Sequence, residues 1–288
     1  MIGPRIVPPD GERPVVGGKF RRLGRRFRPT NRPRFKGQSF NRMVPNLLTM
    51  LGLCAGLTGM RFALEGKFGN AAAAIIVAAC IDGLDGRIAR LLKATSRFGA
   101  EFDSLADFLC FGVAPAFILY LWTLQSAHGY GFMPCLMFAV CMALRLARFN
   151  AALDAGPHPA YTYNFFTGVP APAGAALALF PLFTGLEAHS MGLEWLEAAV
   201  RFPPFVAVVL IGTALLLVST LPVWSFKNFK VPTPYVLPML LGTGLFAAMM
   251  VADPWAAFAL CSLSYVCMLP FSRRSFKRLQ RAAESESS

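Results

Sequence analysis

Charge is what this chain has little of. Only 15% of its 288 residues are Asp, Glu, Lys or Arg, while 55% are hydrophobic and mean hydropathy is +0.51. Soluble domains carry about 25% charged residues, so an ordinary soluble fold and a disordered chain are both excluded. The seven cysteines (Cys54, Cys80, Cys110, Cys135, Cys141, Cys261 and Cys267) all lie in apolar stretches and form no CxxC pair. That excludes a zinc ribbon and a disulfide framework. The histidines, His128, His158 and His189, are isolated, and no HExxH occurs. The first 40 residues lack a continuous apolar core of about 7–15 residues, so they do not read as a signal peptide. No internal repeat is visible.

What the chain does have is apolar segments of membrane-spanning length. Eight can be drawn, at roughly 44–64, 69–92, 103–125, 131–150, 168–186, 203–222, 235–251 and 255–271. The expected fold is therefore all-α, a polytopic membrane protein with about eight transmembrane helices. Three regions follow: a basic, disordered tail over 1–43, a transmembrane domain over 44–271, and a basic, Ser/Glu-ending tail over 272–288. Pro170, Pro172 and Pro181 interrupt the fifth segment. Residues 186–202 are partly amphipathic and are expected to lie along the outer interface.

The net charge of +13 is unevenly spread. Residues 1–43 hold twelve Lys/Arg and residues 272–288 hold five. With eight spans and both termini in the cytoplasm, the cytoplasmic side collects 25 positive residues and the opposite side only Arg61, Lys67 and Arg201. This asymmetry is the positive-inside pattern. The basic clusters abut apolar spans, so they read as anchors on an anionic leaflet and not as a nucleic-acid surface. The expected location is the inner membrane, with the active site on the cytoplasmic side.

Acids are the scarcest charge and the most informative. Between positions 69 and 150 there are five: Asp82, Asp85, Glu101, Asp103 and Asp107. A carboxylate in a span costs about 2.5–3.5 kcal/mol on insertion scales, so four aspartates in one place need compensation. Asp82 and Asp85, at i,i+3, share one helix face; Asp103 and Asp107, at i,i+4, share another. Two antiparallel helices with a short connection can merge these faces into a hard-oxygen site for Mg²⁺ or Mn²⁺. Four carboxylates balance two divalent ions. Gly83, Gly86, Ala89 and Gly99 leave room for a bulky ligand, and Arg87, Arg90, Lys93 and Arg97 supply positive charge nearby. Metals and arginines beside such a gap describe a diphosphate site. A cation-coupled carrier is the rival reading, but the acids lie at one end of the spans and occur once.

The run from Asp82 to Asp107 reads DxxDGxxARx8GxxxDxxxD. All eight defined positions match the signature that the CDP-alcohol phosphatidyltransferase family carries, and the chain resembles that family over about 44–271. Phe111–Ala116, Arg145–Asn150, Phe166–Pro172 and Ser225-Phe226-Lys227 further resemble its serine-using branch. The resemblance implies a transferase of phospholipid biosynthesis: CDP-diacylglycerol plus L-serine gives phosphatidylserine plus CMP. It implies that Asp82, Asp85 and Asp103 hold one metal, that Asp82, Asp103 and Asp107 hold a second, and that Asp107 is the base. It places Gly86, Ala89, Arg90 and Ser96, with Asn46 and Thr49 of the Pro45–Thr49 stretch, around the CDP-diacylglycerol. A homodimer in the lipid bilayer is implied as well.

The acceptor is less constrained. Serine needs a cation for its carboxylate and an acceptor for its ammonium. Arg145 or Arg148 suits the first and Asn150 the second; Lys227 is a further candidate for serine or lipid phosphate. Another alcohol, such as glycerol 3-phosphate, inositol phosphate or choline, remains the alternative acceptor.

Overall fold

The computed structural model describes residues 40–92, 96–153, 165–220, 222–224 and 236–287. The expected tail over 1–43 falls almost wholly outside them, as do Lys93, Lys227 and Lys230. The described chain is helical apart from one short ladder. Helices α1 (Phe40–Leu64) and α2 (Phe68–Leu91) form an antiparallel hairpin. It turns at Gly66, where φ is +73°. At this turn Glu65 accepts from Lys67 Nζ and Arg61 Nε, each at 2.9 Å. The Lys67 hydrogen bond, reinforced by Arg61, holds the Glu65 carboxyl below the usual carboxylate range.

The third apolar segment is a composite. Helix α3 (Arg97–Asp107) runs through a π-helical turn, Phe108–Val113, into α4 (Ala114–Trp122). It starts six residues before the 103 expected for its span. The reason is Ser96: its backbone is extended, and its Oγ accepts from Gly99 N at 3.0 Å, capping the helix. A 3₁₀ stretch, Leu124–Gly131, leads into α5 (Phe132–Leu153).

The fifth segment is not one straight span. Helices α6 (Ala171–Ala178) and α7 (Phe180–Ser190) meet at 45°. Pro181 sits at the start of α7, where it removes a backbone donor and forces the break. Helix α8 (Glu194–Val200) likewise meets α9 (Pro203–Val218) at 53° across Pro203-Pro204. Helix α10 (Val236–Ala252) follows, and α11 (Pro254–Ser287) continues helical well past the 271 expected, into the basic, Ser/Glu-ending tail.

Among the described residues, four helices are long and apolar enough to cross a membrane, or up to six if each bent pair is one span. Every expected segment coincides with a helix, but α2 carries its charged end and α10 is only 17 residues long. The count of eight is thus not reached by length and composition. The membrane assignment also shows in exposure. Leu47, Leu51 and Leu57 of α1, Leu136, Val140 and Leu144 of α5, and Val208 and Leu215 of α9 all face outward. Apolar stripes of this extent are stable only against lipid or a partner.

The core lies among α4 to α7, α9 and α11, around Phe111, Ile118, Phe138, Met142, Leu182 and Leu210. Phe183 stacks on Trp255 and packs against Phe258, joining α7 to α11. Strands β1 (Phe165–Thr167) and β2 (Pro222–Trp224) pair antiparallel, an element the all-α expectation did not include. The ladder ties the approach to α6 to the exit of α9. Next to it, Gly168 has φ +82°, and a Cβ there would meet Ser219 O at 2.8 Å and Arg148 Nη2 at 3.0 Å. Gly168→Ala should therefore destabilise the fold by about 2 kcal/mol or more. Thermal unfolding in detergent measures this; an unchanged midpoint would show that the segment does not need its left-handed residue.

Candidate active site

The site begins as the end of a packing stripe. Along α2, Ala71, Ile75 and Ala78 are buried against neighbouring helices. At the same three- and four-residue spacing the stripe continues as Asp82 and Asp85. Asp85 is 4% exposed. So the helix that packs by small apolar residues at one end delivers two carboxylates inward at the other. Helix α3 supplies Asp103 and Asp107 beside buried Ala106. The π-helical turn begins at the residue after Asp107; such turns change side-chain register and frequently mark functional sites.

The carboxylates converge. One oxygen each from Asp82, Asp85 and Asp103 lies within 4.8 Å of the others. Opposed oxygens around a hard cation stand roughly 4–5 Å apart, so this set fits a divalent ion. Asp107 stands outside that group and adjoins Asp82 at hydrogen-bonding range. Carboxylates this close repel one another unless a cation or a shared proton lies between them. The crevice they line, with Thr49, Gly52 and Cys110, has about 10 Å³ of free space, enough for one water or ion.

Helix α1 supports the cluster. Thr49 Oγ1 lies 2.7 Å from Asp85 Oδ2 and 3.1 Å from Pro45 O, and the shorter bond to the carboxylate takes its proton. The family resemblance implies that Thr49 lies by the nucleotide; in the structure it lines a groove and also fixes a carboxylate, a link across 36 residues that local spacing does not reveal.

A groove of about 190 Å³ adjoins the Asp85 and Asp103 edge of the cluster. Asn46, Thr49, Gly86, Ala89, Arg90 and Ser96 all line it. These six came from different stretches of sequence, and the packing of α1, α2 and α3 assembles them. Gly99 also lines it: a Cβ there would lie 2.9 Å from Asn46 Oδ1 and 3.0 Å from Ser96 Oγ. Arg90 Nε donates to Gly86 O at 3.0 Å, leaving its terminal nitrogens available at the exposed rim.

On the opposite edge stands Arg145 of α5. Its charge acts on Asp107 and Asp82. Its Nε donates to Val169 O at 3.1 Å, and its guanidinium lies over the Phe149 ring at 5.8 Å. Arg148, one turn on, is engaged differently. Nη1 donates to Val218 O at 2.7 Å, and Nη2 reaches Ser219 O at 3.2 Å and Leu217 O at 3.3 Å. These are the terminal carbonyls of α9, which have no intrahelical donor, so Arg148 is a helix cap. Asn150 Nδ2 donates to Ser104 Oγ at 3.0 Å, joining α5 to α3. Of the four acceptor-site candidates, Arg145 is thus the one the fold turns toward the aspartates. Arg148 and Asn150 bind the scaffold, and Lys227 lies outside the described residues.

A helical membrane protein with a cluster of carboxylates that could hold a hard cation is the class that fold and geometry define. Within it, the chain belongs to the CDP-alcohol phosphatidyltransferase family, whose profile matches residues 42–203. A second profile, CDP-alcohol phosphatidyltransferase 2, matches residues 234–270. Among curated proteins, the chain is 42% identical over 243 residues to CDP-diacylglycerol–serine O-phosphatidyltransferase of Mycobacterium leprae, covering 84% of this chain and 78% of that one. The Mycobacterium tuberculosis protein of the same name is 41% identical over 244 residues, covering 84% and 82%. The Helicobacter pylori protein is 34% identical over 188 residues, covering 65% and 74%.

Proposed function

We propose that this chain transfers the phosphatidyl group from CDP-diacylglycerol to L-serine, giving phosphatidylserine and CMP. The observation that carries the reading is the convergence of the signature aspartates beside the groove, in a chain whose curated relatives bear that activity in their names.

The groove's glycines let the nucleotide and diphosphate lie close to the backbone, while Arg90 offers its guanidinium to phosphate oxygens. Asp82, Asp85 and Asp103 would hold one divalent cation, and Asp82, Asp103 and Asp107 a second, as Mg²⁺ or Mn²⁺. Held there, such ions would offset charge on the diphosphate and on the departing CMP. Asp107, outside the three-oxygen group, takes the proton from the serine hydroxyl as its oxygen attacks the lipid-bearing phosphorus. The bond from that phosphorus to the CMP oxygen breaks, and CMP leaves as a phosphate monoester. Arg145 flanks the attacking side. Attack in line with the leaving group requires acceptor and nucleotide on opposite sides of the phosphorus, which suits Arg145 and the groove on opposite edges of the cluster.

The site opens to the cytoplasm in this reading, with both termini on that side of the inner membrane. Residues of α1, α2, α3 and the π-helical turn line the aspartate crevice, whereas Arg61 is in the last turn of α1, Lys67 precedes α2 and Arg201 ends α8. The 25-to-3 distribution of positive residues supports the orientation. Eight spans and a homodimer complete the proposal.

The test is CMP release by purified protein with CDP-diacylglycerol, a divalent cation and a panel of alcohols. Release with serine, abolished by chelation, is the expected result. Release only with another alcohol overturns the acceptor, and no release from folded protein points to a carrier.

A further inference from the structure

Tyr265 lies on α11, between Ser264 and Val266, and packs partly buried against the core. Its hydroxyl is shielded from the surroundings and has no hydrogen-bond partner among the described residues. A buried hydroxyl left unpaired is costly, and native proteins keep few of them. One explanation is a ligand that completes the pair. Arg145 acts electrostatically on Tyr265 and, at the same time, on Asp107 and Asp82. Arg145 spends Nε on Val169 O, and its terminal nitrogens have no hydrogen-bond partner among the described residues. An unpaired phenol therefore lies within electrostatic reach of an unpaired guanidinium edge that itself acts on the aspartates. Both are donors, and together they suit an oxyanion.

Two oxyanions enter this reaction: the acceptor's carboxylate and the lipid's phosphate. The groove that fits the diphosphate meets the cluster at Asp85 and Asp103, whereas Arg145 meets it at Asp82 and Asp107. We infer that Tyr265, with Arg145, binds the carboxylate of the amino-acid acceptor and so helps select serine over alcohols that lack one. The inference rests on the proposed serine transfer and adds a residue of α11 to it. The position falls within the stretch matched by the second family profile.

Tyr265→Phe removes one oxygen and preserves the ring, so the variant should fold. A hydrogen bond to a charged group corresponds to roughly tenfold or more in affinity. With full-length protein in detergent, KM for L-serine should rise at least tenfold, while KM for CDP-diacylglycerol and thermal stabilisation by CDP-diacylglycerol with Mn²⁺ stay unchanged. Competitive inhibition by 3-hydroxypropanoate, which keeps the carboxylate, should weaken; inhibition by ethanolamine, which lacks it, should not. An unchanged serine KM with a raised unfolding temperature would overturn the inference, since Tyr265 would then be an orphaned polar group and no more. A raised KM for CDP-diacylglycerol alone would also overturn it, assigning the pair to phosphate. Wild-type protein that releases CMP with another alcohol and not with serine removes the serine reading itself, a different outcome from either.

Discussion

Asp107→Asn should still bind CDP-diacylglycerol and release almost no CMP. The amide keeps the size and one oxygen of the carboxylate, but it cannot take a proton at the pH of the reaction. Loss of a positioned general base costs about 10²–10⁴-fold in rate. The effect is expected at the upper end, because Asp107 also adjoins Asp82 and contributes to the negative charge that draws cations in. Two measurements separate these roles. CMP release reports chemistry, and thermal stabilisation by CDP-diacylglycerol with Mn²⁺ reports binding. The expected pattern is a large loss in the first and a small change in the second. Turnover at the wild-type rate would remove Asp107 as the base.

Asp82→Asn should behave differently. Asp82 belongs to the three-oxygen group and also adjoins Asp107, so with Asp103 it is shared by both proposed cation sites. Removing its charge weakens the cation and, through it, the diphosphate. A charge-assisted contact of about 1.5–3 kcal/mol corresponds to a ten- to hundredfold shift. The Mn²⁺ concentration giving half-maximal CMP release should rise by that factor, and excess Mn²⁺ should recover part of the rate. CDP-diacylglycerol should lose its stabilising effect at low Mn²⁺ and regain it at high. An unchanged cation dependence would place Asp82 outside the cation site.

Much of the site was legible because its residues are spaced at helical periods. The i,i+3 and i,i+4 aspartate pairs name their own faces. The groove residues Gly86, Ala89 and Arg90 follow Asp85 on the same helix, and Ser96 caps the next one. Arg145 and Arg148 show where this legibility stops. Both look alike in sequence, one turn apart on α5. Yet Arg148 is consumed by carbonyls about 70 residues away, at the end of α9. Nothing local distinguishes a capping arginine from a ligand-binding one. Tyr265 carried a weak signal, a phenol inside a membrane-length segment, but its lack of a partner among the described residues is a property of the assembled bundle. The bends at Pro181 and Pro203 had a clear sequence cause, although their angles did not.

By itself, the sequence determined the solvent, the class and the carboxylates. Its hydropathy demands a bilayer, and its acids are too few and too expensive there to be incidental. Tertiary structure decided which three carboxylates group together, which one stands apart, which arginine faces them and which edge opens into the groove. The physical reason is range. A helix fixes the relative directions of its own side chains through its 3.6-residue period, so relations within α2 or α3 are written locally. Relations between α1, α5, α9 and α11 depend on how their surfaces pack, and packing is settled by the whole bundle at once.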